Sequence, residues 1–212
     1  MSPTASTDTR FRLSQPLAED LAAKFGTPLY VVDAASFTER IRAYKAAFSS
    51  QWPKTEVSFA SKANSTLAVL AIAHREGLTI DVASEGELRA ALAAGVPASK
   101  CHFHGNNKQR EEVEFALQAG IGQIVADSLL EVALLCDLKA SVPILLRLAP
   151  GVDPQTHEKI STGQSDTKFG FGILDGSAER ALTAALDRGL DIAGFHCHVG
   201  SQLLDPLAQI TG

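Results

Sequence analysis

The chain has 212 residues, 45% of them hydrophobic, enough for one globular domain with a substantial core. A formal net charge of -5 and the lack of any Lys/Arg run argue against a nucleic-acid partner. No stretch approaches the roughly 20 apolar residues that a membrane helix needs, and Met1–Gln15 is polar, with no apolar core for a secretion signal.

Residues 1–25 read as a solvated lead-in, broken by Gly26-Thr27-Pro28. Leu29-Tyr30-Val31-Val32 reads as a short β run, and Asp33 as the cap of the helix that follows. A regular series then begins. Strands are expected at 57–61, 79–83, 101–104, 123–126 and 142–148, with helices at 67–74, 85–93, 111–117 and 130–135 between them. A long polar loop runs through Gly163 and Gly172, a helix spans 178–186, and a sixth strand covers 192–198. Cys101, Cys136 and Cys197 form no CxxC pair and no disulfide framework, so free thiols in a reducing cytoplasm are expected.

The first five strands recur roughly every 20–22 residues, which implies parallel β/α units. Uniform spacing without a dinucleotide glycine fingerprint favours a (β/α)8 barrel over a doubly wound sheet. The series shows six of the eight strands, and the sequence stops at Gly212, where the helix after strand six should run. The expectation is therefore a barrel truncated after about six units, with two bare sheet edges.

Barrel enzymes place their chemistry at the C-terminal ends of the strands. Those ends carry Lys62, Asp81, His104-Gly105-Asn106-Asn107-Lys108, Asp127, Arg147 and His196-Cys197-His198-Val199-Gly200-Ser201. Lys62 is either a solvated strand-end lysine or a partly desolvated one, whose neutral amine can condense with an aldehyde. Asp81 is a rim acid or a strand-end acceptor of loop N–H groups. Glu87 is a second rim acid or the closing residue of a capping box, Ser84-Glu85-Gly86-Glu87. Ser128-Leu129-Leu130-Glu131 repeats that pattern and reads as a helix cap alone. Arg147 interrupts an apolar strand and needs an anion: a phosphate, a substrate carboxylate or a structural salt-bridge partner. His196 and His198 share one face of their strand and could bind a metal with His104 and Asp81 recruited, as in a metal-dependent hydrolase barrel. No HExxH-type helix motif backs that rival. Gly200-Ser201 suits close approach of an anion.

Taken in order, three motifs resemble the alanine-racemase-type barrel enzymes that use pyridoxal 5'-phosphate, in the branch of ornithine and diaminopimelate decarboxylases. They are Phe59-Ala60-Ser61-Lys62-Ala63-Asn64, Asp81-Val82-Ala83-Ser84-Glu85-Gly86-Glu87 and His196-Cys197-His198-Val199-Gly200-Ser201-Gln202. His104-Gly105-Asn106-Asn107-Lys108 and the segment from Pro150-Gly151-Val152-Asp153 to Lys168-Phe169-Gly170-Phe171 favour the diaminopimelate-decarboxylating members. The resemblance implies an alanine-racemase-like barrel in which Lys62 carries the cofactor, yields it to the substrate amine and assists reprotonation. It implies that His198 stacks on the cofactor ring, that Gly200 and Ser201 contact its phosphate, and that Asp81 and Arg147 help to bind it. Glu87, His104 and Asn106 would line the site, and no metal is implied.

The implied reaction is decarboxylation of meso-2,6-diaminopimelate to L-lysine and carbon dioxide, the last step of lysine biosynthesis. The implied partners are a small amino-acid substrate and a second subunit, in a cytoplasmic homodimer with shared active sites. The family's later glycine-rich phosphate loop, its Glu-Pro-Gly-Arg segment and its C-terminal β domain have no counterpart within 1–212. The expectation is an incomplete, poorly active fragment: a lead-in over 1–25, a strand of the β domain over 26–36 and a partial barrel over 37–212. Two alternatives stand beside it, a decarboxylase of ornithine, lysine or a carboxylated polyamine, and a non-catalytic cofactor-binding or regulatory homologue.

Overall fold

The computed structural model describes residues 11–150 and 169–200. Two helices open the chain, α1 (Gln15–Phe25) and α2 (Ala34–Gln51). The repeating series follows: β1 (Ser58–Ala60), α3 (Leu67–Arg75), β2 (Thr79–Val82), α4 (Glu85–Ala93), β3 (Cys101–Phe103), α5 (Arg110–Ala119), β4 (Gln123–Ala126), α6 (Leu129–Asp137) and β5 (Ile144–Ala149). A two-residue strand β6 (Phe171–Gly172), α7 (Ser177–Asp187) and β7 (Ile192–Cys197) complete the described elements.

All strand pairs are parallel, in the order β1-β2-β3-β4-β5-β6, with β7 also pairing β5. This is the expected β/α alternation, and its two faces differ as a barrel wall requires. Ile80, Cys101, Phe103, Ile124, Ile144 and Leu146 point to the helices and are fully buried, against Leu70 of α3, Leu88 of α4, Val113 of α5 and Leu135 of α6. The register then gathers the polar residues on the other face, pairing Ala60 with Asp81, Asp81 with His102, and Arg147 with His196. Period-two alternation within each strand thus turns a hydrophobic core into a one-sided platform for polar groups.

Several local expectations are corrected. The polar lead-in contains α1, with Pro16 in its first turn, Gly26 at its end (φ +81°) and no buried residue. Leu29–Val32 forms no strand among the described residues. It has no ladder partner among the described residues, and Tyr30 is fully exposed. Phe171–Gly172, expected inside a polar loop, forms β6 against Leu148 and Ala149. Asp33 does cap its helix, its carboxylate accepting the Ser36 N–H at 2.9 Å. Residues 151–168, which carry most of the Pro150–Phe171 motif, lie outside the described residues, as do Ser201 and the expected helix after the last strand.

A candidate active site at the strand ends

The strand ends enclose a cleft of about 390 Å³. Its walls bring together Lys62, Asp81, Glu87, His104, Arg147, His196 and His198, with Ala60, Val82, Ala83, Val125 and Phe169 as apolar lining. Asn106 is exposed and does not line the cleft, and neither does Gly200; Ser201 lies outside the described residues.

Lys62 stands in a 3-10 turn, Ser61–Ala63, directly after β1. It is exposed, which is the solvated one of the two readings open for it in the sequence. The turn is anchored instead by buried Ser61, whose hydroxyl donates to Glu87 Oε2 at 2.7 Å. The same oxygen accepts the Ala83 N–H at 2.8 Å. Glu87 therefore ties the end of β1 to the end of β2 and fixes where the lysine stem begins. The capping box is only half formed: Ser84 Oγ accepts the Glu87 N–H at 3.2 Å, but the Glu87 carboxylate reaches Ala83 and Ser61 rather than the Ser84 N–H.

Asp81 lies deeper. Its Oδ1 accepts from the Ser58 hydroxyl and faces His104 Nε2 at 3.3 Å and His102 Nδ1 at 3.6 Å. Burial pushes its pKa up, but the imidazoles of His102 and His104 and the Ser58 hydroxyl outweigh that push and hold the carboxyl well below its ordinary range. His104 also meets His196 edge-on, with ring centroids 5.0 Å apart. His196 is pushed down to about 4 by burial and by the charges of His104, Arg147 and His198, and its buried Nδ1 has no hydrogen-bond partner among the described residues. His198 is lowered as well, by burial first and then by Arg147, Lys62 and His104.

Arg147 takes the salt-bridge option. Its Nη1 donates to Asp127 Oδ1 at 2.9 Å, and the guanidinium lies 4.7 Å over the Phe169 ring while still facing the cleft. Behind it the structure shows a second pair that sequence reasoning missed. Lys108 and Glu131 are buried and joined at 3.1 Å, although Glu131 reads in sequence as a helix cap alone. The only sequence signal was a lysine in the loop after β3, which looks like any loop lysine.

A rim amine beside a lined cleft with several imidazoles and one guanidinium suits covalent capture of an aldehyde and recognition of anionic groups. The metal alternative is carried by other residues than the His196/His198 pair. Asp81, His102 and His104 place one ligand atom each within 4.8 Å of one another, a donor set that suits zinc.

Residues 34–210 match the family described as "Pyridoxal-dependent decarboxylase, pyridoxal binding domain". Among curated proteins the chain is similar to the diaminopimelate decarboxylase of Bacillus subtilis, 50% identical over 190 residues, covering 87% of this chain and 43% of that protein. It is similar to the diaminopimelate decarboxylase of Zymomonas mobilis at 43% identity, covering 90% of this chain and 46% of that one. Among solved structures, the diaminopimelate decarboxylase of Methanocaldococcus jannaschii in complex with L-lysine aligns with a TM-score of 0.82 and 37% identity, over 92% of this chain and 47% of that one. The lysine/ornithine decarboxylase of Vibrio vulnificus complexed with putrescine aligns with a TM-score of 0.73 and 27% identity, over 92% and 49%. The chain thus spans less than half the length of these relatives.

Proposed function

This chain belongs to the pyridoxal-dependent decarboxylases, and from that premise we propose that it forms the pyridoxal-phosphate site of an enzyme that converts meso-2,6-diaminopimelate to L-lysine and carbon dioxide. The observation that carries the reading is the position of Lys62 at the mouth of a cleft that also gathers Asp81, Glu87, His104, Arg147 and His198. The residues present fit the cofactor. An amine is available for its aldehyde, and apolar side chains flank the space for its ring. The buried Nδ1 of His196, without a partner among the described residues, is a hydrogen-bonding atom that a polar ligand could satisfy.

Bound there, pyridoxal phosphate supplies the electron sink for loss of carbon dioxide. Lys62 would hold the group through Nζ and would then carry a proton at that atom for return to the substrate carbon. His198 would face the ring, Gly200, just beyond the cleft lining, and Ser201 would hold the phosphate, and Arg147 and Asp81 would set the charge around it. Asn106 belongs to the approach to the cleft. Diaminopimelate is favoured as substrate because the relatives named for it reach 50% identity, against 27% for the lysine/ornithine decarboxylase. The working assembly is a cytoplasmic homodimer with shared sites, and the thiol state of Cys101, Cys136 and Cys197, all unpaired, is compatible with a reducing compartment. The exposed apolar run Leu29–Val32 pairs with a β-rich domain of the assembled enzyme.

The test is borohydride reduction of the purified chain with pyridoxal phosphate, followed by intact mass and peptide mapping. One phosphopyridoxyl group on Lys62, absent from Lys62→Ala, is the expected result; a label on another lysine refutes the assignment. Turnover of meso-diaminopimelate against L-ornithine, measured on the completed enzyme, then separates the two substrate classes. A second reading, zinc held by Asp81, His102 and His104, predicts stoichiometric metal in the purified protein and is refuted by elemental analysis without it.

A further inference from the structure

Four charged residues run in a chain behind the cleft wall. Lys108 and Glu131 have side chains only 3% and 6% exposed, and Asp127 is 5% exposed. The Lys108 ammonium donates to the Gly105 carbonyl at 2.7 Å, to the Val125 carbonyl at 2.7 Å and to Glu131 Oε2 at 3.1 Å. Glu131 Oε1 accepts the Lys108 N–H at 3.1 Å, and Oε2 accepts the Asp127 N–H at 2.8 Å. Asp127 in turn holds Arg147 at 2.9 Å.

A buried ion pair is a poor way to gain stability, because desolvating both charges offsets most of their attraction. Its geometry here does something else. Lys108 is fully used on two carbonyls and one carboxylate, and both carbonyls belong to residues that line the cleft, Gly105 and Val125. Glu131 fixes the backbone of Asp127, which fixes the direction of its carboxylate, which fixes one nitrogen of the Arg147 guanidinium. Phe169 holds the face of that guanidinium. Arginine carries much side-chain entropy, and an anion site is effective only when its donors are already in place.

We propose that Lys108 and Glu131 are positioning residues that act through Asp127 to hold the Arg147 guanidinium at the cleft, where it receives an anionic oxygen of the bound ligand. The inference rests on the decarboxylase reading only for the identity of that ligand.

His198 provides a readout that does not depend on the cofactor, because the Arg147 charge is among the causes that lower its pKa, together with burial, Lys62 and His104. The experiment is an NMR titration of the His198 imidazole in the purified chain without cofactor. Glu131→Gln and Arg147→Met are compared with wild type, and the His198 signal is assigned with His198→Asn. Removing a negative charge at 131 would by itself lower the His198 midpoint. Release of Arg147 from its place raises it. The expected result is an upward shift in Glu131→Gln at least half as large as that in Arg147→Met. If Glu131→Gln leaves the midpoint unmoved or lowers it, or if Arg147→Met does not raise it, the proposal is overturned.

Should Glu131→Gln fail to fold, Lys108→Met/Glu131→Met removes both charges together and replaces the pair with apolar side chains, a change that buried pairs often tolerate. The same upward shift is expected there, with no net charge effect to confuse it. Borohydride labelling of wild-type Lys62 is run in parallel: no label would defeat the cofactor reading and leave the His198 result to decide this one.

Discussion

His196 and Asp81 stand within one cleft, and burial favours the neutral form of both, yet they end in opposite charge states. Burial favours the neutral imidazole of His196, whereas donors around Asp81 keep its carboxylate charged. The two therefore lose stability in different pH windows. His196 titrates near 6.5 in the unfolded chain and at about 4 in the folded one, so the unfolded chain binds the extra proton between those values. Stability falls as pH drops from about 6.5 to 4, by less than the ideal ~1.4 kcal/mol per unit because the ring is partly screened by solvent. The expected observation is a thermal midpoint that declines through this window and declines less in His196→Asn. Asp81 contributes above the ordinary carboxylate range and loses that contribution only as pH falls below it. Lys62 could be recognised from its place at a strand end and from the motif around it. Glu131 could not, because its Ser-x-x-Glu spacing already accounts for it locally, and nothing in one sequence shows that it reaches Lys108, 23 residues earlier.

At the scale of elements, β2 to β5 were legible because each buries one face under a helix and so carries an apolar run at regular intervals. Their ends were less so, since pairing and not composition decides where a strand stops: β1 ends at Ala60 because Ser61 turns into the 3-10 segment. Ser84 and Ser128 both cap their helices through Oγ, to the N–H of Glu87 and of Glu131. Ser84→Ala should cost about 1 kcal/mol in denaturant unfolding. Leu70→Ala or Leu88→Ala, each removing a fully buried side chain between helix and sheet, should cost about 2–5 kcal/mol in the same measurement. A loss below 0.5 kcal/mol would contradict the packing described. The helix α1 was read as a lead-in although Leu17, Leu21 and Phe25 recur at four-residue spacing; that stripe buries no residue among the described ones. β6 is two residues long, too short for any periodicity.

Across the whole molecule, protection from solvent should follow the sheet. β2 to β5 have a paired strand on both sides, whereas β1 pairs only β2 and the Leu29–Val32 backbone has no strand partner among the described residues. Amide hydrogen exchange should therefore be slowest at Ile80, Phe103, Ile124 and Leu146 and fastest in the 29–32 run. Rapid exchange at Ile124 in the native state would mean that the sheet does not form a single core. On β7, Phe195 pairs with Leu146 yet is 55% exposed, so the helix side of this strand is far less covered than that of β2 to β5.

The sequence by itself determined the parallel β/α repeat, the side of the strands where chemistry collects and the identity of the rim lysine. These follow from short-range causes: apolar spacing, turn residues and one contiguous motif. Only the tertiary structure decided how the polar residues are joined. Strand register placed Asp81 beside His102, a packed helix turn carried Glu131 under the loop of Lys108, and neighbouring strands brought Asp127 to Arg147. Those contacts cross about 20 or more residues of chain, and their geometry exists only once the sheet has closed over its core.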